Sequence, residues 1–409
     1  MNDGSGLRQT ASTNPIHRGR PLVVASLGVT QILAWGSSYY LPAVLAQPIA
    51  VETGWPFAWV VGGLSIGLIV AGLSSPYIGR AINQGSGRAV MALSSALLGC
   101  GLALLALSQS LPIYLAAWTI IGLGMGSGLY DAAFATLGRL YSTDARRSIA
   151  ALTLFGGLAS TVCWPLSAFL LEHLGWRGAC LVYAAIQLLF AMPLHWLVVP
   201  RLRSVGERGS TSARSRPPLL PRADFAKFLV TAAAIALASV ISAMLSVHLL
   251  TVLQGRGMEL AAAVALGALV GPSQVGARIV QMIFASPYHP IWTKLAAALL
   301  VTLGVAMLLG GFPIVVVPLV LYGAGIGIES IARGTLPLAI FDPASYAAIM
   351  GRIAMPSLLF QAMSPSLGAI LLDYGGPDFM LSVLTGMAVV NVLLVGVLWI
   401  LCRTGLSDA

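Results

Sequence analysis

Charged residues are scarce in this chain of 409 residues, where they make up 9% of the sequence. An average soluble protein has about 25%. Hydrophobic residues make up 58%, and the mean hydropathy is +0.90. These values exclude an ordinary soluble domain and indicate an integral membrane protein, in which long apolar runs face lipid.

Cysteine is also rare, and the four cysteines lie in or at the ends of apolar runs without CxxC spacing. This pattern predicts neither a disulfide framework nor a metal site. The sequence contains no Walker motif, no HExxH and no nucleophile elbow. Their absence excludes ATP-driven transport within this chain, and we predict that it is not an enzyme and needs no cofactor or metal.

The basic residues give the chain a formal net charge of +9, but they are spread over short segments between apolar runs. This distribution argues against nucleic acid and favours an anionic lipid surface as their counterpart. The longest polar segment, 200–227, carries seven basic residues against Glu207 and Asp224. Its Gly, Ser and Pro content is typical of a mobile linker.

About 20 apolar residues are needed to cross a bilayer, and the sequence predicts twelve such spans. The fold class is therefore an all-α integral membrane protein with two six-helix halves. The predicted units are a cytoplasmic tail at 1–20, a first half at 21–199, the linker at 200–227, a second half at 228–402 and a cytoplasmic tail at 403–409. The predicted spans are 22–49, 58–79, 89–109, 112–138, 149–171, 178–199, 228–253, 260–285, 294–311, 314–333, 349–372 and 379–402.

The arginines and lysines orient this bundle. Only Arg177 and Arg256 fall in loops on one side, whereas the other basic residues outside the spans, Lys294 among them, fall on the opposite side. Short loops rich in Arg and Lys stay cytoplasmic. We therefore predict a multi-pass protein of the cytoplasmic (inner) membrane with both termini in the cytoplasm.

The two halves repeat each other. Gly124-Met-Gly-Ser-Gly-Leu-Tyr-Asp131 in span four matches Gly323-Ala-Gly-Ile-Gly-Ile-Glu329 in span ten, about half the chain further on. Such a parallel repeat is typical of transporters whose site lies between the halves. The glycines lie inside apolar spans, where they permit close helix packing rather than binding a nucleotide.

Six plus six spans, a basic central loop and this repeat resemble the major facilitator superfamily over essentially the whole chain. The signature of that family after span two, Gly, then Asp-Arg, then Gly-x-Arg, has a counterpart from Gly79 to Arg88, with Asn83 in the acidic position. The segment from Leu140 to Ala150 and Gly175-Trp-Arg177 resemble the monocarboxylate and organic-anion branch. That branch has an Arg in span eight with an Asp one turn earlier, and this chain has Arg278 with Gln274 at the Asp position.

Ionisable residues inside spans are functional candidates by default. Arg278 is predicted either to bind a substrate carboxylate or to form an ion pair that holds the two halves together. Asp131 and Glu329 are predicted either to bind and release a proton during transport or to form such an ion pair between the halves. Arg333 stands four residues after Glu329, so a local ion pair is an alternative for it. His248 is either a proton carrier or a packed, pore-lining residue.

Span one carries a polar and aromatic cluster at Gln31, Trp35 and Tyr39. In the superfamily that this chain resembles, spans one, four, seven and ten line a central cavity. The resemblance therefore implies that these residues, with Tyr130 and Tyr322, contact the substrate, while packing between helices is the alternative for each. The predicted substrate-binding set is Arg278, Gln274, Trp35, Tyr39, Tyr130, Tyr322 and Gln31.

These features predict a secondary active transporter that moves a small organic anion, a carboxylate, together with a proton by alternating access. The alternative is a proton-driven efflux pump for an amphipathic metabolite or drug, which the aromatic walls would also suit. An enzyme or a sensor would need a cluster of catalytic side chains or a soluble domain, and the sequence shows neither. The predicted partners are a small-molecule substrate, a proton and the lipid bilayer, for a chain that works as a monomer.

Overall fold

The structure is a computed structural model that describes residues 19–201, 222–284 and 288–407. In these ranges the regular secondary structure is helical, and nine segments are long and apolar enough to cross a membrane. Three of these segments are 50, 54 and 58 residues long. Each of the three is interrupted by a glycine at positive φ: Gly85, Gly175 or Gly376. A segment of this length crosses twice, so the nine segments supply the twelve predicted spans.

The first half holds spans one to six. Their bounds are Arg20–Gly36 with Leu41–Thr53, Phe57–Ala81, Gly87–Ala106, Leu111–Gly128 with Tyr130–Tyr141, Ala145–Gly157 with 159–174, and 176–198. The second half holds spans seven to twelve. Their bounds are Arg222–Gly255, Leu260–Gly267 with Val270–Phe284, Pro290–Leu309, Val316–Ile340, 346–375 and 377–407. We call the face where span six ends and span seven begins the linker face, and the opposite one the far face.

Spans seven and nine begin six and four residues earlier than the sequence predicts. Span seven begins at Arg222, inside the predicted linker, whose residues 202–221 lie outside the described part of the chain. Asp224 and Lys227 form an ion pair of 3.3 Å along its first turns, so polar residues are accommodated there. Span nine begins at Pro290. The assignment of Lys294 to a cytoplasmic segment was therefore wrong, because it lies inside the span.

The two halves pack tightly at the linker face. One hydrophobic core there draws Phe134 and Ile149 from the first half and Tyr346 from the second. Spans two and eleven approach so closely that a Cβ atom added at Gly79 would lie 2.5 Å from the carbonyl oxygen of Ala347. Small residues permit such backbone contact between membrane helices.

Towards the far face, each half packs on itself. The outer part of span one, Leu41–Thr53, packs on span two and on the helix Ala159–Ile186. The outer part of span eight, Leu260–Gly267, packs on spans seven and ten. Among the described residues, every hydrogen bond between the halves lies between the linker face and the middle of the bundle. The structure is therefore closed at the linker face.

Candidate functional site

Four spans are interrupted in the middle of the bundle. Span one breaks between Gly36 and Leu41, span four at Leu129, span five at Leu158 and span eight between Gly267 and Val270. Leu129 has an extended backbone, with ψ of −171°. Non-helical backbone at membrane depth is tolerated where it is buried in protein or lines a cavity. In transporters, broken helices of this kind form the binding site.

A cavity of about 60 Å³ lies between the halves at this level. A single water needs about 10 to 15 Å³, so this cavity is large enough to hold more than one. Both halves contribute to its walls, which are formed by Trp35, Ala71, Met125, Gly126, Leu129, Tyr130, Asp131, Arg333, Leu358 and Gln361. The predicted cavity between the halves is therefore present, and Trp35, Tyr130, Asp131 and Arg333 of the predicted site residues line it.

An ion pair crosses the cavity from one half to the other. Arg333 donates from Nε and Nη2 to the two carboxylate oxygens of Asp131, both at 2.8 Å, and from Nη1 to Ser239 Oγ at 3.0 Å. Both charged side chains are 15% exposed. This parallel pairing is the strong bidentate geometry of Arg with a carboxylate. Asp131 and Arg333 therefore join spans four and ten.

Glu329 pairs with a different cation. Lys294 Nζ donates to Glu329 Oε1 and, at 3.3 Å, to the carbonyl oxygen of Ala234. The Lys294 side chain is fully buried, and that of Glu329 is 17% exposed. A local pair between Glu329 and Arg333 was an alternative from the sequence, but in the structure each hydrogen-bonds to another partner. The result is a row of alternating charges that runs from span nine through span ten to span four.

Arg278 is a buried cation, and none of the described carboxylates lies within ion-pair distance of it. Its guanidinium donates to the carbonyl oxygens of Gly327 at 3.2 Å and Thr153 at 2.9 Å, and to Gln274 Oε1 at 3.4 Å. The residue is 3% exposed. The Thr153 bond connects span eight to span five, so Arg278 also contacts both halves. A Cβ atom added at Gly157 would lie 1.9 Å from Arg278 Nη1, so the absence of a side chain there makes room for the guanidinium.

The predicted aromatic cluster forms a connected wall beside the cavity. Trp35 packs on Tyr39 and Tyr130, with ring centroids 5.3 and 5.1 Å away, and its Nε1 donates to Gln31 Oε1 at 3.1 Å. Gln31 in turn donates to the carbonyl oxygen of Gly128, 2.5 Å away at the break in span four. Tyr130 donates its hydroxyl to the carbonyl oxygen of Thr153 at 3.4 Å. The hydroxyl of Tyr130 and the guanidinium of Arg278 therefore share one acceptor.

Seven of the predicted site residues do not line the cavity: Gln31, Tyr39, His248, Gln274, Arg278, Tyr322 and Glu329. Tyr322 and His248 pack within the second half. Tyr322 is 1% exposed and donates to the carbonyl oxygen of Ser242 at 3.3 Å, within the core of the second half. His248 donates from Nε2 to the carbonyl oxygen of Pro365 at 2.9 Å, which joins spans seven and eleven. Both contacts correspond to the packing alternatives, and a role in binding or proton transfer stays a prediction for both.

Sequence reasoning did not find the contribution of span eleven. Gln361 lines the cavity and donates from Nε2 to the hydroxyl oxygen of Tyr39, 3.2 Å away in the other half. A polar amide within an apolar run was the available signal. Lys294 was missed because it lies only four residues into its span, where a basic residue is normally a boundary residue.

A family model and two solved structures are similar to this chain. The sequence model of the Major Facilitator Superfamily matches residues 27–355. The human organic anion transporter MFSD10 (TETRAN) superposes with a TM-score of 0.72 at 18% identity, over 93% of this chain and 100% of that one. The proton:xylose symporter XylE, bound to 6-bromo-6-deoxy-D-glucose, superposes with a TM-score of 0.70 at 13% identity, over 92% and 94%. At these identities the two structures are similar in fold alone.

A curated relative is also similar in sequence. It is described as the transcription regulatory protein OpdE of Pseudomonas aeruginosa and is 30% identical over 198 residues. That match covers 48% of this chain and 48% of the relative, so the chain spans about half the length of the curated relative it matches.

Proposed function

This chain belongs to the major facilitator superfamily, and from that premise we propose that it moves a small organic anion, a carboxylate, by secondary active transport. It is a multi-pass membrane transporter rather than an enzyme. In the proposed cycle, the two halves move about the cavity so that it opens to one face at a time. The closed linker face corresponds to one end of that cycle.

The anion proposal is based on the surroundings of Arg278. Its charge is buried among carbonyl and amide oxygens. A buried charge is costly unless an opposite charge accompanies it. The other two buried cations near the cavity, Lys294 and Arg333, already have carboxylate partners. A substrate carboxylate would supply the partner that Arg278 lacks, and the planar guanidinium suits its geometry.

The broken spans support the same proposal. The second part of span four begins at Tyr130, so its amino-terminal end, with unpaired N–H groups, lies at the cavity wall. Helix amino termini carry partial positive charge and favour anions. The path from cavity to Arg278 is short, because Tyr130 of the wall and Arg278 share the Thr153 carbonyl oxygen.

Asp131 is our candidate for proton coupling. Its carboxylate lines the cavity and holds Arg333 across the halves. A proton on Asp131 would remove the negative charge that holds Arg333, so proton uptake would favour separation of the halves at the linker face. Glu329 is the second candidate, since its protonation would release Lys294, which belongs to the same half. On the arginine distribution, we propose that the linker face is cytoplasmic, in the inner membrane, and that the chain works as a monomer.

Uptake into proteoliposomes tests the proposal. Purified full-length chain is reconstituted, a pH gradient of either sign is imposed, and radiolabelled mono- and dicarboxylates are compared with lipophilic drugs. We expect gradient-dependent carboxylate transport that falls at least about tenfold in Arg278→Gln, as for loss of a charge-assisted hydrogen bond of about 1.5 kcal/mol or more. Arg403→Gln, an exposed arginine at the linker face, is the matched control. Unchanged carboxylate uptake by Arg278→Gln would refute the anion site.

Two other functions would give different results in the same vesicles. The aromatic wall of Trp35, Tyr39 and Tyr130 favours an efflux pump for amphipathic compounds as the second candidate. That function predicts drug transport that is insensitive to Arg278→Gln. The description of the relative OpdE as a transcription regulatory protein suggests a regulatory role instead. A regulator without transport activity predicts that neither class of compound moves in response to the gradient.

A further inference from the structure

Two arginines and one tryptophan meet at the linker face, between spans three and six and away from the cavity. The guanidinium carbon of Arg88, at the start of span three, lies 4.9 Å from the ring centroid of Trp196. That of Arg201, just after span six, lies 5.8 Å from the same ring. Other linker-face arginines, such as Arg403 on Trp399, pair singly with an aromatic ring. The Trp196 cluster, defined as Arg88, Trp196 and Arg201, therefore holds two positive charges at one ring.

The positive charge of this cluster has no counterpart in the described part of the chain. Neither arginine is within ion-pair distance of a described carboxylate. The Nε atom of Arg88 is moreover buried and has no acceptor. Buried donors in proteins almost always have an acceptor. An orphaned guanidinium N–H beside a second guanidinium indicates that an anionic oxygen belongs here.

The position of the cluster indicates what carries that oxygen. Trp196 is 45% exposed, and its neighbours on the outer surface of span six, Leu189 and Leu197, are 78% and 77% exposed. Leu93, on span three, is 55% exposed. Large exposed apolar side chains on a membrane helix face acyl chains, and an exposed Trp near a helix end marks the headgroup level. A ligand at this place has its charge at the arginines and its tails along the leucines.

We propose that the Trp196 cluster binds the phosphate group of an anionic phospholipid in the leaflet at the linker face. Basic pockets between membrane helices recognise such headgroups. Arg88 and Arg201 contact the phosphate oxygens, and Trp196 holds the two guanidinium groups in place through cation–π contacts. The proposal is independent of what the central cavity carries, because it involves the outer surface of spans three and six.

Lipid titration of the full chain in a mild detergent, followed by native mass spectrometry, tests this site. The probes are dioleoyl phosphatidylglycerol, dioleoyl phosphatidylcholine as the zwitterionic lipid, and glycerol 1-phosphate as a soluble phosphate. We expect the wild-type chain to bind the anionic lipid more tightly than the zwitterionic one. In Arg88→Gln/Arg201→Gln, affinity for the anionic lipid should fall about 30-fold, the factor for removing two basic residues at an anionic surface.

Controls separate the site from general surface charge and from misfolding. Arg403→Gln removes one arginine from the same face in the other half, and it should leave the affinity unchanged. Arg201→Gln alone changes an exposed side chain and should lower the affinity roughly fivefold if the double variant fails to fold. Three results would each overturn the proposal. The first is equal affinity for the anionic lipid in the wild type and both Arg201 variants, and the second is a loss of affinity in Arg403→Gln as large as in Arg201→Gln. The third is competition by glycerol 1-phosphate as strong as that by the lipid.

Discussion

The bidentate ion pair between Asp131 and Arg333 provides a quantitative prediction about the closed linker face. Asp131→Asn removes the negative charge and leaves Arg333 with its hydrogen bond to Ser239 Oγ. The substitution keeps the size of the side chain, so packing around it is preserved. Because the two residues belong to different halves, the lost interaction stabilises only conformations in which the halves meet at this level.

The magnitude follows from the exposure of the pair. Removal of one partner from a fully buried ion pair costs about 3 to 5 kcal/mol, whereas exposed pairs contribute about 0 to 1 kcal/mol. Both side chains here are 15% exposed and the geometry is bidentate. We therefore expect a loss of about 2 kcal/mol, which shifts the ratio of closed to open linker face roughly 30-fold.

Distances between spin labels measure this ratio. Ser86 and Ala344 are exposed at the linker face, one in each half, and can be replaced by labelled cysteines in a background without native cysteine. Asp131→Asn should move population from the short to the long distance. Glu52→Gln is the control, because Glu52 pairs with Arg177 within the first half at the far face. An unchanged distribution, or an equal shift in the control, would show that the pair does not hold the linker face closed.

Two further predictions concern the site and the pH response. Gly157→Ala places a methyl group against Arg278 and should lower carboxylate uptake in the proteoliposome assay about tenfold or more. Gly276→Ala is the control and should leave uptake unchanged, because nothing lies within 4 Å of the added Cβ. Two effects lower the pKa of His289 below its usual 6.5. They are the partial burial of its ring and the positive charge of the nearby Arg146 guanidinium. Because Arg146 belongs to the other half, His289 binds a proton more readily when the halves are separated. The closed linker face should therefore lose stability as the pH falls from 6.5 towards the lowered pKa of His289. The same spin-label distances should show this pH dependence in wild type and less of it in His289→Gln, and equal dependence in both would contradict the assignment.

The membrane class, the twelve spans and the duplicated architecture could all be predicted from the sequence. Apolar length and the repeat at Gly124 and Gly323 are local properties that do not depend on how helices meet. The charged candidate residues could also be identified from the sequence, because ionisable residues are rare in these spans and each one is conspicuous. Asp131 and Arg333 were among the candidates for that reason.

The pairing of those charges could not be predicted. Arg333 lies four residues from Glu329 in sequence, yet it pairs with Asp131, 202 residues away. Glu329 pairs instead with Lys294, which seemed to be a boundary residue. Periodicity places a side chain on a helix face but does not fix which neighbouring helix lies opposite that face. Tyr322 illustrates the same limit, since its span borders the cavity while its own ring packs in the second half.

By itself, the sequence determined that this chain is a bundle of twelve membrane helices in two related halves, because burial of apolar runs in lipid depends only on composition and length. Only the tertiary structure decided that Arg278 is the buried cation without a carboxylate among the described residues, and that the break in span four lies at the wall of the cavity. Those features depend on the distances between side chains of different helices, and such distances are fixed by packing across the whole bundle.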